Sequence, residues 1–239
     1  MAQNPIDERI FSEYLNKIAD GITGLESWER NLGSRLGDCS GTSAVVFNSN
    51  PLTIGGRYLA EIASRRCERV LLFVIQGKTD SGSHGNHEER VIELPFETRF
   101  SMTKDALSDL KNVLVLPSGP YLIGRDDFPA GYLSGSLGAA HAHGFLDGKV
   151  FCHICNALGI KSAFAGDEPR DEMSEIHLNT LRQTCAQSGI VLKVAERKRI
   201  GDKYISSSMV RKALISGDRE TVEKLVPPQV LPYLSGHFA

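Results

Sequence analysis

The chain predicts an α/β domain, an open parallel sheet of five strands with helices laid on it, and three observations carry that prediction. Apolar runs of strand length recur at 44–47, 70–75, 112–117, 161–165 and 191–195. Longer segments with helical spacing of apolar residues separate them, and such alternation is the pattern of parallel βαβ units. Two of the runs also lead into polar, glycine- or serine-rich helix starts. A Rossmann-like sheet of this kind, in strand order 3-2-1-4-5, collects its ligand at the carboxyl ends of the strands, near the switch point.

Before the first run, Ile6, Ile10, Tyr14 and Ile18 recur every fourth residue, and Trp28, Leu32 and Leu36 follow with similar spacing. Residues 1–42 therefore read as a short N-terminal helical extension, and 43–239 as the main domain. The Ser40, Gly41, Thr42, Ser43 run reads as the linker between them.

The first strand is followed by NSNPLTIGGRYL at 48–59. Asn48, Asn50 and Pro51 make a turn, and Gly55 and Gly56 open a helix that carries Tyr58, Leu59 and Ile62. Free N–H groups and the positive end of the helix dipole favour an anion here, and glycine admits a phosphate close to the main chain. A tight turn packing a helix on a sheet needs the same residues. The second strand, 70–75, releases a polar loop containing Lys78, His84 and His87. A helix starting at Phe96 carries Arg99 and Lys104, each readable as a phosphate contact or an exposed salt bridge.

The third strand runs into Ser118, Gly119 and Tyr121, then a segment with Phe128 and Tyr132. In the next helix Val150, Phe151, Ile154 and Leu158 form an apolar face. Cys152 and Cys155, with His141 and His143 nearby, fit a zinc site in spacing but fit small core residues more simply. The fourth strand ends in Gly166, Asp167, Glu168 and Pro169, able to meet ribose hydroxyls, a base or hydrated magnesium, or else to form a solvated turn. A helix over 173–187 leads to the fifth strand, and a charged connection, 196–203, leads to ISSSMVR at 205–211. There Ser206, Ser207 and Ser208 precede a helix with Val210, Ala213 and Leu214 inward, Gly217 at its stop and Arg211 one turn in. Two such helix starts in one α/β domain can converge on one polyphosphate.

Lys and Arg total 27 against 29 Asp and Glu, a formal net charge of −2. The basic residues are scattered, so no nucleic-acid partner is indicated. Five cysteines in irregular spacing suit reduced thiols. The polar start and the lack of a span-length apolar run indicate neither secretion nor a membrane, and a cytoplasmic location is expected.

The pattern NxNPxTxGxRYL followed by ISxSxVR resembles the nucleotidyltransferase superfamily (HUP-like), whose signatures are a (H/T)xGH loop and an ISSTxxR helix start. Within it, the stretch 43–234 is similar to the C-terminal catalytic domain of citrate lyase ligase, with NVLVLPSGPYLI, DDFPAGYL, LDGKVF and ALGIKSAFAGDEP in family order. The resemblance implies ATP-dependent, AMP-forming acetylation of a thiol on an acyl carrier protein, through acetyl adenylate, with acetate as the carboxylate and Mg2+ arriving with ATP. It implies that Thr53, Gly55 and Gly56 hold the α and β phosphates and that Ser206 to Ser208 with Arg211 hold the β and γ phosphates. Asn48, Asn50, Pro51, Gly166, Glu168 and Ile205 complete the nucleotide site, and Lys78 contacts phosphate.

This chain departs from the family at Gly56, where the motif has a histidine that stabilises charge as pyrophosphate leaves. The loop around Lys78 is also longer, and the segment before residue 43 reads as too short to be the acetyltransferase-like N-terminal domain of complete ligases. Two other activities fit the same loops: transfer of AMP or CMP to a phosphorylated small molecule, and nucleotide binding without turnover.

Overall fold

The computed structural model describes residues 39–76, 92–119, 122, 137–167 and 172–238, together with 9, 12, 13 and 16. Five strands, β1 (Cys39–Phe47), β2 (Cys67–Val74), β3 (Val113–Pro117), β4 (Ser162–Gly166) and β5 (Val191–Ala195), form one sheet in the order β3-β2-β1-β4-β5. Every pairing in it is parallel. The expected order is thus observed, and β1 is the central strand. Helices α1 (Ile54–Arg66), α2 (Phe96–Ala106), α3 (Leu137–Ala157) and α4 (Glu172–Gln187) fall between the strands.

The side-chain alternation of the strands builds a core on each face. Leu72 and Val74 point into a cluster with Val45, Phe47, Ala60, Met102 and Leu214. Leu71 and Phe73 point the other way, against Ile154, Cys155, Ile160 and Cys185. Both faces of β2 are buried, which explains why it reads as an unbroken apolar run.

Several boundaries differ from the sequence reading, each for a physical reason. The run 40–43, expected as a linker, lies inside β1: Thr42 pairs with Arg69 and Ser43 with Val70. Ser43 is buried there because its hydroxyl donates to the Ser162 carbonyl at 3.0 Å. Asn112 precedes β3 as a buried clamp, its amide donating to the carbonyls of Ser64 (2.8 Å) and Cys67 (3.1 Å) while its own oxygen accepts from the Ser64 hydroxyl. The fourth strand begins one residue later and includes Gly166.

The connection 196–203 contains a small antiparallel hairpin, β6 (Arg199–Ile200) and β7 (Lys203–Tyr204), turned by Gly201 at φ 55°. Its charged residues concealed it: Arg199 lies over the Tyr204 ring, 4.0 Å from its centroid. The C-terminal region adds α5 (Ser207–Ile215), α6 (Arg219–Leu225) and α7 (Leu231–Leu234), which bury Val210, Leu214, Val222, Leu225 and Leu234.

Cys152, Cys155 and Cys185 are free and buried, and belong to the core, as the simpler reading has it. Burial pushes the Cys155 thiol up from its ordinary value. Cys67, by contrast, is disulfide-bonded, which corrects the expectation of reduced thiols throughout. The register that lays β1 alongside β2 at this point is not revealed by spacing along the chain.

Arg9, Ser12, Glu13 and Asn16 are helical. The remainder of the expected N-terminal helices lies outside the described residues. No helix among the described residues is long and apolar enough to cross a membrane.

Candidate functional site

The carboxyl end of β1 and the loop after it form the floor of the candidate site. Val45 and Phe47 anchor the strand, then Ser49 takes a left-handed φ of 54°, unusual for a residue with a Cβ. The Asn50–Pro51 peptide bond is cis. Thr53 then caps α1, its hydroxyl accepting from the Gly56 N–H at 3.2 Å. The cap pins the first turn, so the remaining N–H groups of that turn face outward for an anion.

A Cβ at Gly55 would sit 3.4 Å from the Thr53 hydroxyl and 3.6 Å from the Ile205 Cβ, ordinary contact distances, so this position lies directly against the second segment. At Gly56 a Cβ would meet the Leu52 Cδ1 at 2.9 Å, with Leu52 only 2% exposed. The position held by the motif histidine is therefore bordered by a leucine methyl.

The second segment lies directly against the first. Ser206 caps α5, accepting from the Met209 N–H at 3.3 Å. The Ser207 hydroxyl donates to the Pro51 carbonyl at 2.9 Å, and the Arg211 guanidinium donates to the Asn50 carbonyl at 2.6 Å. Two helix N-termini thus open on one pocket, lined among others by Asn48, Pro51, Thr53, Gly55, Gly56, Gly166, Ile205, Ser206 and Ser207. These are nine of the residues expected from the sequence.

The other expected residues fall differently. Asn50 and Ser208 do not line the pocket: Asn50 braces the loop, its side-chain oxygen accepting from the Leu94 N–H at 3.1 Å, and Ser208 is exposed with its hydroxyl 2.8 Å from that of Ser206. Arg211 is also absent from the lining, since its guanidinium is turned to the loop carbonyl. Lys78, His84, His87, Tyr121, Phe128, Tyr132, Glu168 and the His143 side chain lie outside the described residues. Asp167 is described: its carboxylate accepts from the Arg197 N–H at 2.7 Å, fixing the carboxyl end of β5 beside that of β4.

Arg99 corrects an expectation. Phosphate contact and an exposed salt bridge were the two readings, yet the residue is 3% exposed and holds the loop from beneath. Its guanidinium donates to the carbonyls of Asn48 (2.6 Å), Ile75 (2.9 Å) and Leu94 (3.1 Å) and to the Asn48 side-chain oxygen (2.9 Å). A planar fork suits that many acceptors from three segments. Lys104 is exposed on α2.

Sequence reasoning missed three residues of this region. Tyr58 and Lys198 both line the pocket, with the Lys198 ammonium 5.4 Å from the Tyr58 ring centroid. Lys198 was concealed inside a charged connection. Arg57, following the glycine pair, fixes α1 to the end of α2: it donates two hydrogen bonds to the Asp109 carboxylate, at 3.0 and 2.6 Å, and also contacts Glu61 and the Ala106 carbonyl. That contact holds the Asp109 carboxyl below the usual carboxylate range. Only the RYL of the motif hinted at it.

Among the described residues, no group of three His, Cys, Asp or Glu gathers to hold a metal ion. The two helix starts that open on the pocket suit it to positioning an anion.

Comparison with known proteins gives the family. Residues 42–234 match the family model of the citrate lyase ligase C-terminal domain. The chain is 28% identical over 211 residues to the citrate (pro-3S)-lyase ligase of Escherichia coli (strain K12), covering 86% of this chain and 55% of that one. It is 28% identical over 215 residues to the ligase of the same name from Haemophilus influenzae, covering 87% and 59%. The chain therefore spans little more than half the length of these relatives. Among solved structures, Thermotoga maritima TmcAL, bound with alpha-thio ATP, aligns at a TM-score of 0.53 and 13% identity over 82% of this chain and 55% of that one, a likeness of fold. The family model spans most of the chain, and the chain belongs to the citrate lyase ligase C-terminal domain family.

Proposed function

We propose that this domain binds ATP and catalyses an AMP-forming ligation in which acetate attacks the α-phosphate, pyrophosphate leaves, and the thiol of an acyl carrier protein takes the acetyl group from acetyl adenylate. The observation that carries the reading is the contact between the two helix starts: Ser207 on the Pro51 carbonyl and Arg211 on the Asn50 carbonyl bring them to one pocket. In-line displacement at phosphorus needs positioning and charge stabilisation more than covalent chemistry, and paired helix N-termini supply both.

In this reading the Gly55 main-chain N–H, the Thr53 hydroxyl and the space that Gly56 leaves without a side chain take the α and β phosphates, and Ser206 and Ser207 meet the β and γ phosphates. Arg211 acts through the loop it braces. Gly166 has open space above it, with nothing within 4 Å of a built Cβ, and so leaves room for the nucleoside. Glu168 is proposed to meet the ribose, and Lys78 the phosphates. Mg2+ is proposed to enter on ATP, since the described residues offer no protein cage and magnesium commonly rides on substrate phosphates.

One observation favours a second reading, nucleotide binding without turnover: Gly56 has no side chain to meet the reacting phosphate, and Leu52 borders its place. Isotope exchange between ATP and pyrophosphate separates the two. Exchange that depends on acetate supports the ligase, and exchange or nucleotidyl transfer that needs another acceptor overturns it. ATP binding with no exchange supports the second reading.

A further inference from the structure

We propose that Lys198 is the cation that meets the polyphosphate at the head of α1, beside the position that Gly56 leaves without a side chain. The inference rests on the reading of the pocket as a nucleotide site, and it identifies which charge serves that site.

A polyphosphate carries several negative charges into a pocket whose own acidic lining residues, Asp167 and Glu196, repel it. Something positive must answer them. The basic residues among the described lining are Arg197 and Lys198. Arg197 is built into the wall: its guanidinium Nε donates to the Ile205 carbonyl at 3.0 Å and its main-chain N–H to Asp167. Arg211, the cation expected from the serine motif, is directed to the Asn50 carbonyl and does not line the pocket.

Lys198 differs from both. It is exposed, and among the described residues no carboxylate is its ion-pair partner. Its side chain leaves the segment after β5 and reaches across to α1, where the ammonium lies 5.4 Å from the Tyr58 ring centroid. Tyr58 stands two residues after Gly56, and both line the same pocket. The ring face is a holding place for an ammonium at an exposed site, a weak contact that a phosphate oxygen displaces. Lysine suits the task because it is a compact charge on a flexible stem, able to follow a pyrophosphate as it departs. The missing histidine at the helix start is thereby answered from the opposite wall, at a position where no motif is written.

The test is calorimetric titration of the full chain with inorganic pyrophosphate and, separately, with adenosine, for the wild type, Lys198→Met and Lys198→Arg. Loss of one charge-assisted contact is expected to weaken pyrophosphate binding by about tenfold or more in Lys198→Met. Adenosine affinity should be unchanged, and Lys198→Arg should retain most of the pyrophosphate affinity. Raising the salt concentration should narrow the gap between wild type and Lys198→Met. Equal pyrophosphate affinity in wild type and Lys198→Met overturns the proposal, as does a matching loss of adenosine affinity, or no pyrophosphate binding by the wild type. Acetate-dependent exchange is read separately: its absence from the wild type counts against the ligase reading while the pyrophosphate titration still decides the role of Lys198.

Discussion

The Ser207 hydroxyl donates to the Pro51 carbonyl at 2.9 Å, joining loops 156 residues apart in sequence. A contact at that separation exists only because β1 and β5 end at the same edge of one parallel sheet, with β4 between them. Removing it should loosen the pocket while leaving both helices intact. Ser207→Ala is expected to lower stability by about 1 kcal/mol and to weaken ATP binding. Ser216→Ala, which deletes a hydroxyl bonded within the last turn of α5, serves as the control and should leave ATP affinity unchanged. Urea unfolding and ATP titration of the two variants check this pair of expectations.

Arg99 should behave as a structural residue despite lying beneath the candidate site. Replacing it with leucine leaves the Asn48, Ile75 and Leu94 carbonyls without their donor, and the expected loss is about 3 kcal/mol. Arg99→Lys should recover little of it, because one ammonium cannot span acceptors from three segments. Chemical denaturation of both variants is the measurement, and a loss near zero for Arg99→Lys would count against the clamp.

Gly56→His tests the departure from the family motif. The new Cβ meets the Leu52 Cδ1 at 2.9 Å, so a side chain that is 2% exposed must turn aside. Overpacking of this kind costs about 1–3 kcal/mol, and the far end of a leucine can absorb part of it. The variant should be less stable and exchange pyrophosphate faster than the wild type. Adding Leu52→Val should recover some of the stability. Exchange that does not rise in the double variant would show that the histidine is not what this site lacks.

The pairing of Arg57 with Asp109 gives a pH dependence of stability. The hydrogen bond from Arg57 lowers the Asp109 pKa in the folded protein, outweighing the opposing effect of burial. A depressed carboxylate contributes stability above its unfolded pKa and loses it as pH falls through its folded value. The side chain of Asp109 is 58% exposed, so solvent screens the pair and the contribution stays under about 1 kcal/mol. Asp109→Asn should therefore lower stability slightly at neutral pH, and the difference from the wild type should shrink as pH falls through the folded pKa of Asp109. Denaturant midpoints across an acid pH series read the difference.

The sheet was readable because burial on both faces writes its strands as plain apolar runs, as in Leu71, Leu72, Phe73 and Val74. The two helix starts were readable only as a pair: a glycine pair and a serine triplet each have a plainer use alone, as a tight turn and as helix caps, but here both open helices in one α/β domain. Arg99 was not readable, because its partners are main-chain carbonyls on three segments, and no pattern along α2 records them. Lys198 was hidden for a related reason: Glu196 to Lys203 reads as a solvated charged run, whereas the hairpin turned at Gly201 sets Lys198 beside Ile205, both on the pocket wall. The run at 40–43 misled because Ser43, buried in β1, looks like a linker residue until the partner of its hydroxyl, the Ser162 carbonyl, is known.

Amide hydrogen exchange on the full chain, with and without ATP, tests most directly whether both segments grip one nucleotide. Peptides covering 48–58 and 205–211 are expected to gain protection together, at the same ATP concentration, with the α3 and α4 helices unaffected. Protection confined to one of the two segments, or appearing in neither at saturating ATP, would contradict the shared site.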